Sequence, residues 1–319
     1  MPDATTRTER TGLDPAKFRD PDVTADGSQR AAVELTALRT LWFNTGTLCN
    51  LACVNCYIES SPTNDALIYL SAAEADRFLD ELDADFDAHE IGFTGGEPFM
   101  NPEFMTMLGS ALDRGYQVLV LTNAMRPMMK CADELLALKA AHGERLRIRV
   151  SIDHYSPRLH DLERGERAFR RMLPGLDWLA ANGFHLSVAG RTFWSETEAR
   201  LRDGFRRMLT GRDIALDTAD PERLVLFPEM DMGADVPEIT TACWGILDVS
   251  PEAMMCATSR MVVHRKGEAR AVVAPCTLLP YDERLQMGET LAEASGAVKL
   301  NHPHCAKFCV LGGGSCSKA

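Results

Sequence analysis

The chain has 319 residues, 45% of them hydrophobic, which suits a soluble globular protein with one large core and room for a smaller appendage. Its formal net charge of −12 repels nucleic acid phosphates and argues against DNA or structured RNA as a partner. No run of about 18 apolar residues is present to span a membrane, and residues 1–7 lack an apolar signal core. Ten cysteines in an unexported chain point to metal or redox chemistry in a reducing cytoplasm rather than to disulfides.

Taken in chain order, residues 1–36 are polar and read as a loosely ordered arm or short cap. Residues 37–43 form a first strand that leads into Cys49-Asn50-Leu51-Ala52-Cys53-Val54-Asn55-Cys56-Tyr57, with the spacing C-x3-C-x2-C. Ser71 and Glu74 make a capping box, and Phe78, Leu79, Leu82 and Phe86 follow on one helix face. Residues 90–94 are a second strand ending in Gly95-Gly96-Glu97-Pro98. Pro102 opens a helix that turns Phe104, Met107, Leu108, Ala111 and Leu112 inward and stops at Gly115. A buried strand over 117–122, a helix over 131–141 and a strand over 146–153 come next; Leu146, Ile148, Val150 and Ile152 share one face of that strand. A helix over 168–182 closes at Gly183, a strand covers 185–191, Ser195 and Glu198 suggest a second capping box, and 224–227 is a sixth strand. Six βα units in a row give an α/β fold with a mostly parallel, curled sheet and helices outside. Sites in such sheets lie at the carboxyl ends of the strands. The cysteine loop, the Gly-Gly turn, Asn123, Asp153 and Arg191 all fall there.

Three thiolates in one short loop can hold three irons of a four-iron cubane and leave the fourth iron open to bind and split a small molecule. A structural zinc site wants four ligands and no vacancy. The loop resembles the signature of the radical S-adenosylmethionine (radical SAM) superfamily. That resemblance implies a partial (β/α)6 TIM-like barrel over 37–235 and a [4Fe-4S] cluster held by Cys49, Cys53 and Cys56. It implies that Gly95, Gly96, Glu97 and Pro98 bind the amino group of the SAM methionine, with the Glu97 carboxylate meeting the ammonium. The strand end Leu121-Thr122-Asn123 resembles the family's Thr-Asn-Gly, with Ala124 at the glycine. Ser151-Ile152-Asp153 resembles the Ser-hydrophobic-Asp-Gly element of the peptide-modifying branch, with His154 at the glycine, and His160-Asp161 and Arg164-Gly165 also look like that branch. Asn123, Ser151, Asp153 and Arg191 are thereby cofactor-site candidates. Tyr57 either flanks the adenine or packs over the cluster.

A second group of cysteines follows: Cys243, Cys256, Cys276, Cys305, Cys309 and Cys316. Cys256 and Cys276 bracket a hairpin whose turn is Gly267. The layout resembles the twitch or SPASM extension of radical SAM enzymes, here over 236–319. It implies a second [4Fe-4S] cluster on Cys256, Cys276, Cys305 and one or both of Cys309 and Cys316, with Cys243 spare. Zinc on four thiolates is the alternative. Cys131 reads as a core residue, and His302 and His304 as surface groups. Glu229 and Asp231 leave the sixth strand toward the barrel mouth and are candidates for substrate binding or proton transfer, or are simply solvated.

The resemblance implies reductive cleavage of SAM to a 5′-deoxyadenosyl radical and hydrogen abstraction from a peptide or small molecule, in an oxidation or cross-linking. An electron donor such as flavodoxin or ferredoxin is implied with it. The alternatives are a redox-neutral rearrangement or epimerisation with a structural second metal site, and a non-catalytic iron–sulfur or zinc protein.

Overall fold

Alternation of apolar and polar residues along the strands decides the architecture. In β5 (Leu146–Ser151) the side chains of Leu146, Ile148 and Val150 are buried, while Arg147, Arg149 and Ser151 point to the other face. The first set packs under helices; of the second, Arg147 and Arg149 line one hollow and Ser151 another. The computed structural model describes residues 12–192, 194–228 and 233–314. In chain order its other regular elements are β1 (Ala32–Val33), β2 (Thr40–Asn44), α1 (Ala72–Asp85), β3 (Glu90–Thr94), α2 (Phe104–Asp113), β4 (Gln117–Thr122), α3 (Arg126–Met129) and α4 (Ala132–His142) before β5. After it come α5 (Pro157–Arg164), α6 (Ala168–Ala181), β6 (His185–Arg191), α7 (Glu198–Thr210), β7 (Leu224–Phe227), α8 (Cys243–Leu247), β8 (Ser259–Val263), β9 (Val272–Ala274) and β10 (Val298–Lys299).

One eight-stranded sheet runs β7-β6-β5-β4-β3-β2-β8-β9. All pairs are parallel except the β8–β9 hairpin. The strands at 90–94, 117–122, 185–191 and 224–227 lie where the sequence pattern puts them. The first strand begins three residues later than expected, and the fourth stops at Ser151. The hairpin is also as read, with Gly267 at φ +92. Its attachment is new: β8 pairs in parallel with β2 from Thr40↔Ser259 to Phe43↔Val262, so the cysteine-bracketed hairpin prolongs the barrel sheet.

Ser71 caps α1 as expected, with the reciprocal Glu74 bond present. Helix α2 starts at Phe104, two residues beyond Pro102, and buries the five side chains read from its pattern. The second capping box is corrected. Ser195 sits in left-handed backbone at φ +59, and Thr197 is the cap, accepting from the Arg200 N–H. Helix α5 has no counterpart in the sequence pattern, because its eight residues are mostly polar and carry no apolar repeat. Residues 12–36, read as a polar arm, are packed. Phe18 is buried, the Arg30 guanidinium pairs with Glu238 at 2.5 Å, and β1 pairs antiparallel with β10. Among the described residues no helix is long and apolar enough to cross a membrane.

The cap position is testable in chemical denaturation. Thr197→Ala is expected to cost about 1 kcal/mol, the usual worth of an N-cap, whereas Ser195→Gly is expected to cost nothing, because glycine tolerates the left-handed backbone there.

Candidate active site

The cysteine loop is seated backbone against backbone. Leaving β2, the chain runs through Thr45 to Leu48 directly beneath the turn that ends β3. The Gly96 N–H donates to the Gly46 carbonyl at 2.8 Å, and the Glu97 N–H to the Leu48 carbonyl at 3.2 Å. A Cβ on Gly96 would lie 2.3 Å from the Leu48 oxygen, and one on Gly95, at φ +135, 2.6 Å from the Gly46 oxygen. The two glycines are therefore needed for the seat itself, whatever ligand they face.

On that seat Cys49, Cys53 and Cys56 line one cavity together with Thr94, Gly95 and Gly96. The Leu51 N–H points to the Cys49 sulfur at 3.4 Å and the Ser60 N–H to the Cys56 sulfur at 3.3 Å. Burial pushes the Cys49 thiol up to about 12 and raises that of Cys53. Both are therefore protonated as free thiols, and a cation must displace those protons to bind. The N–H donors around the sulfurs fit thiolate ligands, since they stabilise the charged form.

Glu97 behaves differently from the expectation. Its side chain is 1% exposed and does not line the cavity. The carboxylate accepts from Thr122 Oγ1 at 2.8 Å, from the Asn123 N–H at 2.9 Å and from the Phe99 N–H at 3.4 Å. It ties the turn to the end of β4. Burial outweighs these hydrogen bonds and raises its pKa to about 7. Pro98 is buried and opens a short helical turn beside it, also off the cavity.

The rest of the wall comes from the other strand ends. Asn123, Ser151, Asp153, Arg191 and Tyr57 all line the cavity. The Asn123 amide donates to Asn50 Oδ1 at 2.9 Å and so braces the cysteine loop from β4. Arg164 grips Asp153 through two bonds, Nε to Oδ2 at 2.7 Å and Nη2 to Oδ1 at 3.1 Å. Burial opposes the Asp153 charge, but Arg164 and Arg191 outweigh it and hold the carboxyl below its ordinary range. Arg191 also donates to the Asn55 carbonyl at 2.5 Å. Of the two family glycines that this chain lacks, one leaves its mark: Ala124 keeps a left-handed φ of +56. The buried His154 does not occupy that region.

Sequence reasoning assigned no role to Asn55, Glu163, Phe227, Leu278 and Phe308, which also line the cavity, and gave Arg164 only as part of a look-alike dipeptide. Arg164 and Glu163 sit on the unread helix α5, and Leu278 and Phe308 arrive from the extension. Glu229, Asp231 and Cys316 lie outside the described residues.

The second cysteine group also converges. Cys256, Cys276, Cys305 and Cys309 line a small cavity with Met254, Met255, Leu279, Val298 and Leu300. Cys305 and Cys309 share the π-helical turn Cys305–Val310, a geometry common at functional sites. Burial pushes Cys256 up to about 11 and Cys305 up to about 12. Cys243 is not in this cavity. Cys131 packs against the core at the start of α4. His304 is buried, not the surface group expected from the sequence, and His302 is half-buried. Among the described residues no three His, Cys, Asp or Glu side chains stand at single-ion spacing.

A family profile described as the radical SAM superfamily matches residues 43–202. Among curated proteins, the chain is similar to the antilisterial bacteriocin subtilosin biosynthesis protein AlbA of Bacillus subtilis (strain 168). The two are 26% identical over 280 residues, which are 82% of this chain and 58% of AlbA. It is 28% identical over 136 residues to the mycofactocin maturase MftC of Mycobacterium ulcerans (strain Agy99), covering 43% of this chain and 35% of that one. Among solved structures, SuiB of Streptococcus suis bound to precursor peptide SuiA superposes with a TM-score of 0.59 at 11% identity, over 82% of this chain and 65% of SuiB. The last likeness is one of fold. The chain spans less than two thirds of the length of each of the three.

Gly96→Ala is expected to unseat the cysteine loop, because the new methyl meets main-chain atoms that cannot swing away. Iron bound after anaerobic reconstitution should fall to less than half of wild type. Glu97→Ala is expected to cost about 1–3 kcal/mol for each buried donor it orphans, read as a lower denaturation midpoint of the metal-free protein.

Proposed function

The chain belongs to the radical SAM superfamily, and from that premise we propose that it cleaves SAM reductively in the cavity at the carboxyl ends of its strands and oxidises or cross-links a precursor peptide there. One observation carries this reading. Cys49, Cys53 and Cys56 from one loop share a cavity with Gly95 and Gly96 after β3, Asn123 after β4, Ser151 and Asp153 at β5, and Arg191 at β6.

A four-iron cubane with SAM on its open iron supplies, when bound, one-electron cleavage of the sulfonium and abstraction of hydrogen from an unreactive C–H bond. The chain's own groups would do the rest. Cys49, Cys53 and Cys56 hold the cluster, with the Leu51 and Ser60 N–H groups favouring their thiolates. The main chain of the Gly95-Gly96 turn takes the methionine ammonium; Glu97 positions that turn from behind, and Pro98 shapes it. Arg191, on the cavity wall, is the buried cation proposed to meet the methionine carboxylate, while Arg164 is engaged by Asp153. Asn123, Ser151 and Asp153 offer polar groups to the ribose, and Tyr57 a face to the adenine. Glu229 and Asp231, just past β7, are proposed to contact substrate.

Cys256, Cys276, Cys305 and Cys309 are proposed to hold the second cluster. The segments that carry them also wall the first cavity, through Leu278 and Phe308. Forming a cross-link removes two hydrogens from the substrate. One leaves as an atom; the other leaves as a proton and an electron, and that electron needs an acceptor at hand. The peptide substrate is supported by the names of AlbA and MftC and by the precursor peptide bound to SuiB. An external one-electron donor, such as reduced flavodoxin or ferredoxin, starts the cycle.

The triple variant Cys49→Ala, Cys53→Ala, Cys56→Ala should lose about four irons and all SAM cleavage. Unchanged cleavage in that variant would sink the proposal. The iron it keeps should be about four per chain, on the second site, and adding Cys256→Ala or Cys276→Ala should remove it. Zinc in place of that iron would reject the electron-accepting role without touching the assignment of SAM cleavage to the first site.

A further inference from the structure

Arg260, the second residue of β8, is 1% exposed, and its guanidinium is held by main chain alone. Nε donates to the Ala294 carbonyl at 2.8 Å, Nη1 to those of Cys256 at 2.6 Å and Ser259 at 2.8 Å, and Nη2 to that of Gly296 at 2.9 Å. No carboxylate of the described residues pairs with it. Burial works against its charge, and the groups that oppose burial are the thiols of Cys256 and Cys276. Buried charges are ordinarily paired. Carbonyl dipoles replace the water around a cation, but they do not cancel its field.

The hairpin directs that field at the second thiol group. The Cys256 carbonyl is itself one of the four acceptors. Cys276 follows Ala274 by two residues, and Ala274 pairs with Met261, so Cys276 stands beside the start of β8. Gly296 leads into β10, whose Val298 lines the cavity of Cys256, Cys276, Cys305 and Cys309. Two other buried guanidinium groups reach thiols, and both are neutralised. Arg30, which reaches Cys305, pairs with Glu238 at 2.5 Å. Arg164, which reaches Cys53 at the first site, is gripped by Asp153 through two bonds. Of the three, Arg260 alone carries an uncompensated positive charge.

We propose that Arg260 sets the reduction potential of the second cluster, its fixed charge favouring the reduced form and so equipping that cluster to accept an electron from the substrate. The proposal rests on the reading that Cys256, Cys276, Cys305 and Cys309 hold an iron–sulfur cluster. The step balances: the cluster gains one electron, the substrate radical loses one, and Arg260 keeps its protons. Reduction adds negative charge to a buried site that already gathers thiolates. A neighbouring cation offsets that cost, since the potentials of such clusters follow local charge and solvent exposure. A guanidinium suits the task because it stays charged when buried.

The test uses the triple variant of the first cysteine loop, reconstituted anaerobically, so that only the second cluster is present. Its reduced form is followed by electron paramagnetic resonance through a potential titration. Arg260→Gln removes the charge and keeps hydrogen-bond donors, whereas Arg260→Lys keeps the charge with fewer donors. At the potential that half-reduces the parent, the reduced-to-oxidised ratio in Arg260→Gln should fall about tenfold or more, equivalent to about 59 mV for one electron. In Arg260→Lys it should stay within about twofold of the parent, and both variants should hold about four irons per chain. An unchanged ratio in Arg260→Gln would overturn the proposal. So would an equal fall in both variants, which would leave Arg260 only a brace for the Cys256 turn. Where Arg260→Gln loads no iron, Arg260→Lys decides: the parent's iron and potential support the charge, and a tenfold lower ratio rejects it. A parent that takes up zinc or no iron would instead fail the cluster reading, and this proposal with it.

Discussion

The contact of the Gly95-Gly96 turn with the main chain of Gly46–Leu48 is the constraint on which the site depends. No side chain fits between the two backbones, so the end of β3 fixes where the cysteine loop begins. From there the coupling runs outward in polar links. Glu97 joins the turn to β4, Asn123 joins β4 back to Asn50, and Arg191 joins β6 to Asn55. Each link crosses from one strand end to another. The loop is thus held by the sheet at several points along its length and not by its own two ends alone. A ligand shell of three thiols from eight consecutive residues needs such outside bracing, because a loop by itself has too much conformational freedom to hold three sulfurs in place.

Charge is arranged around that loop with the same economy. Asp153 and Arg164 form a buried, two-bond pair, a unit that adds little net stability but orients both partners. Burial opposes the Arg164 charge; Asp153 and then Cys53 overcome it and raise its pKa. The guanidinium therefore serves two masters, the carboxylate at β5 and the thiols of the loop. When those thiols ionise to bind metal, a fixed cation already stands beside them, which lowers the electrostatic cost of gathering negative sulfur in a buried site.

Most of the sheet was legible because its strands are buried on the helix side and bounded by glycine, proline or polar residues. Leu146, Ile148 and Val150 show the pattern plainly. The cysteine spacing and the Gly-Gly-Glu-Pro turn were legible as chemistry. What escaped notice did so for physical reasons. Helix α5 has too few apolar residues to show a period, yet it brings Arg164 into the cavity. Ser195 and Glu198 satisfy the spacing of a capping box, but left-handed backbone at Ser195 hands the cap to Thr197, which lacks a glutamate three residues on. Glu97 was legible as a site residue and misread in direction: nothing local reveals that its acceptors are wanted by Thr122 and Asn123, a strand away. The pairing of β8 with β2 joins segments more than 200 residues apart, and no local pattern encodes it.

That pairing bears on how two clusters would divide the work. Strand β2 runs into the first cysteine loop at its carboxyl end, whereas Cys256 precedes β8 and Cys276 follows β9, both at the amino end of the same ladder. The five residues of β2 span about 13 Å at roughly 3.3 Å per residue. The two thiol groups therefore hang from opposite ends of one rigid strand pair. Leu278 and Phe308 line the first cavity while their neighbours Cys276, Leu279, Cys305 and Cys309 line the second, so the two cavities share these segments as walls.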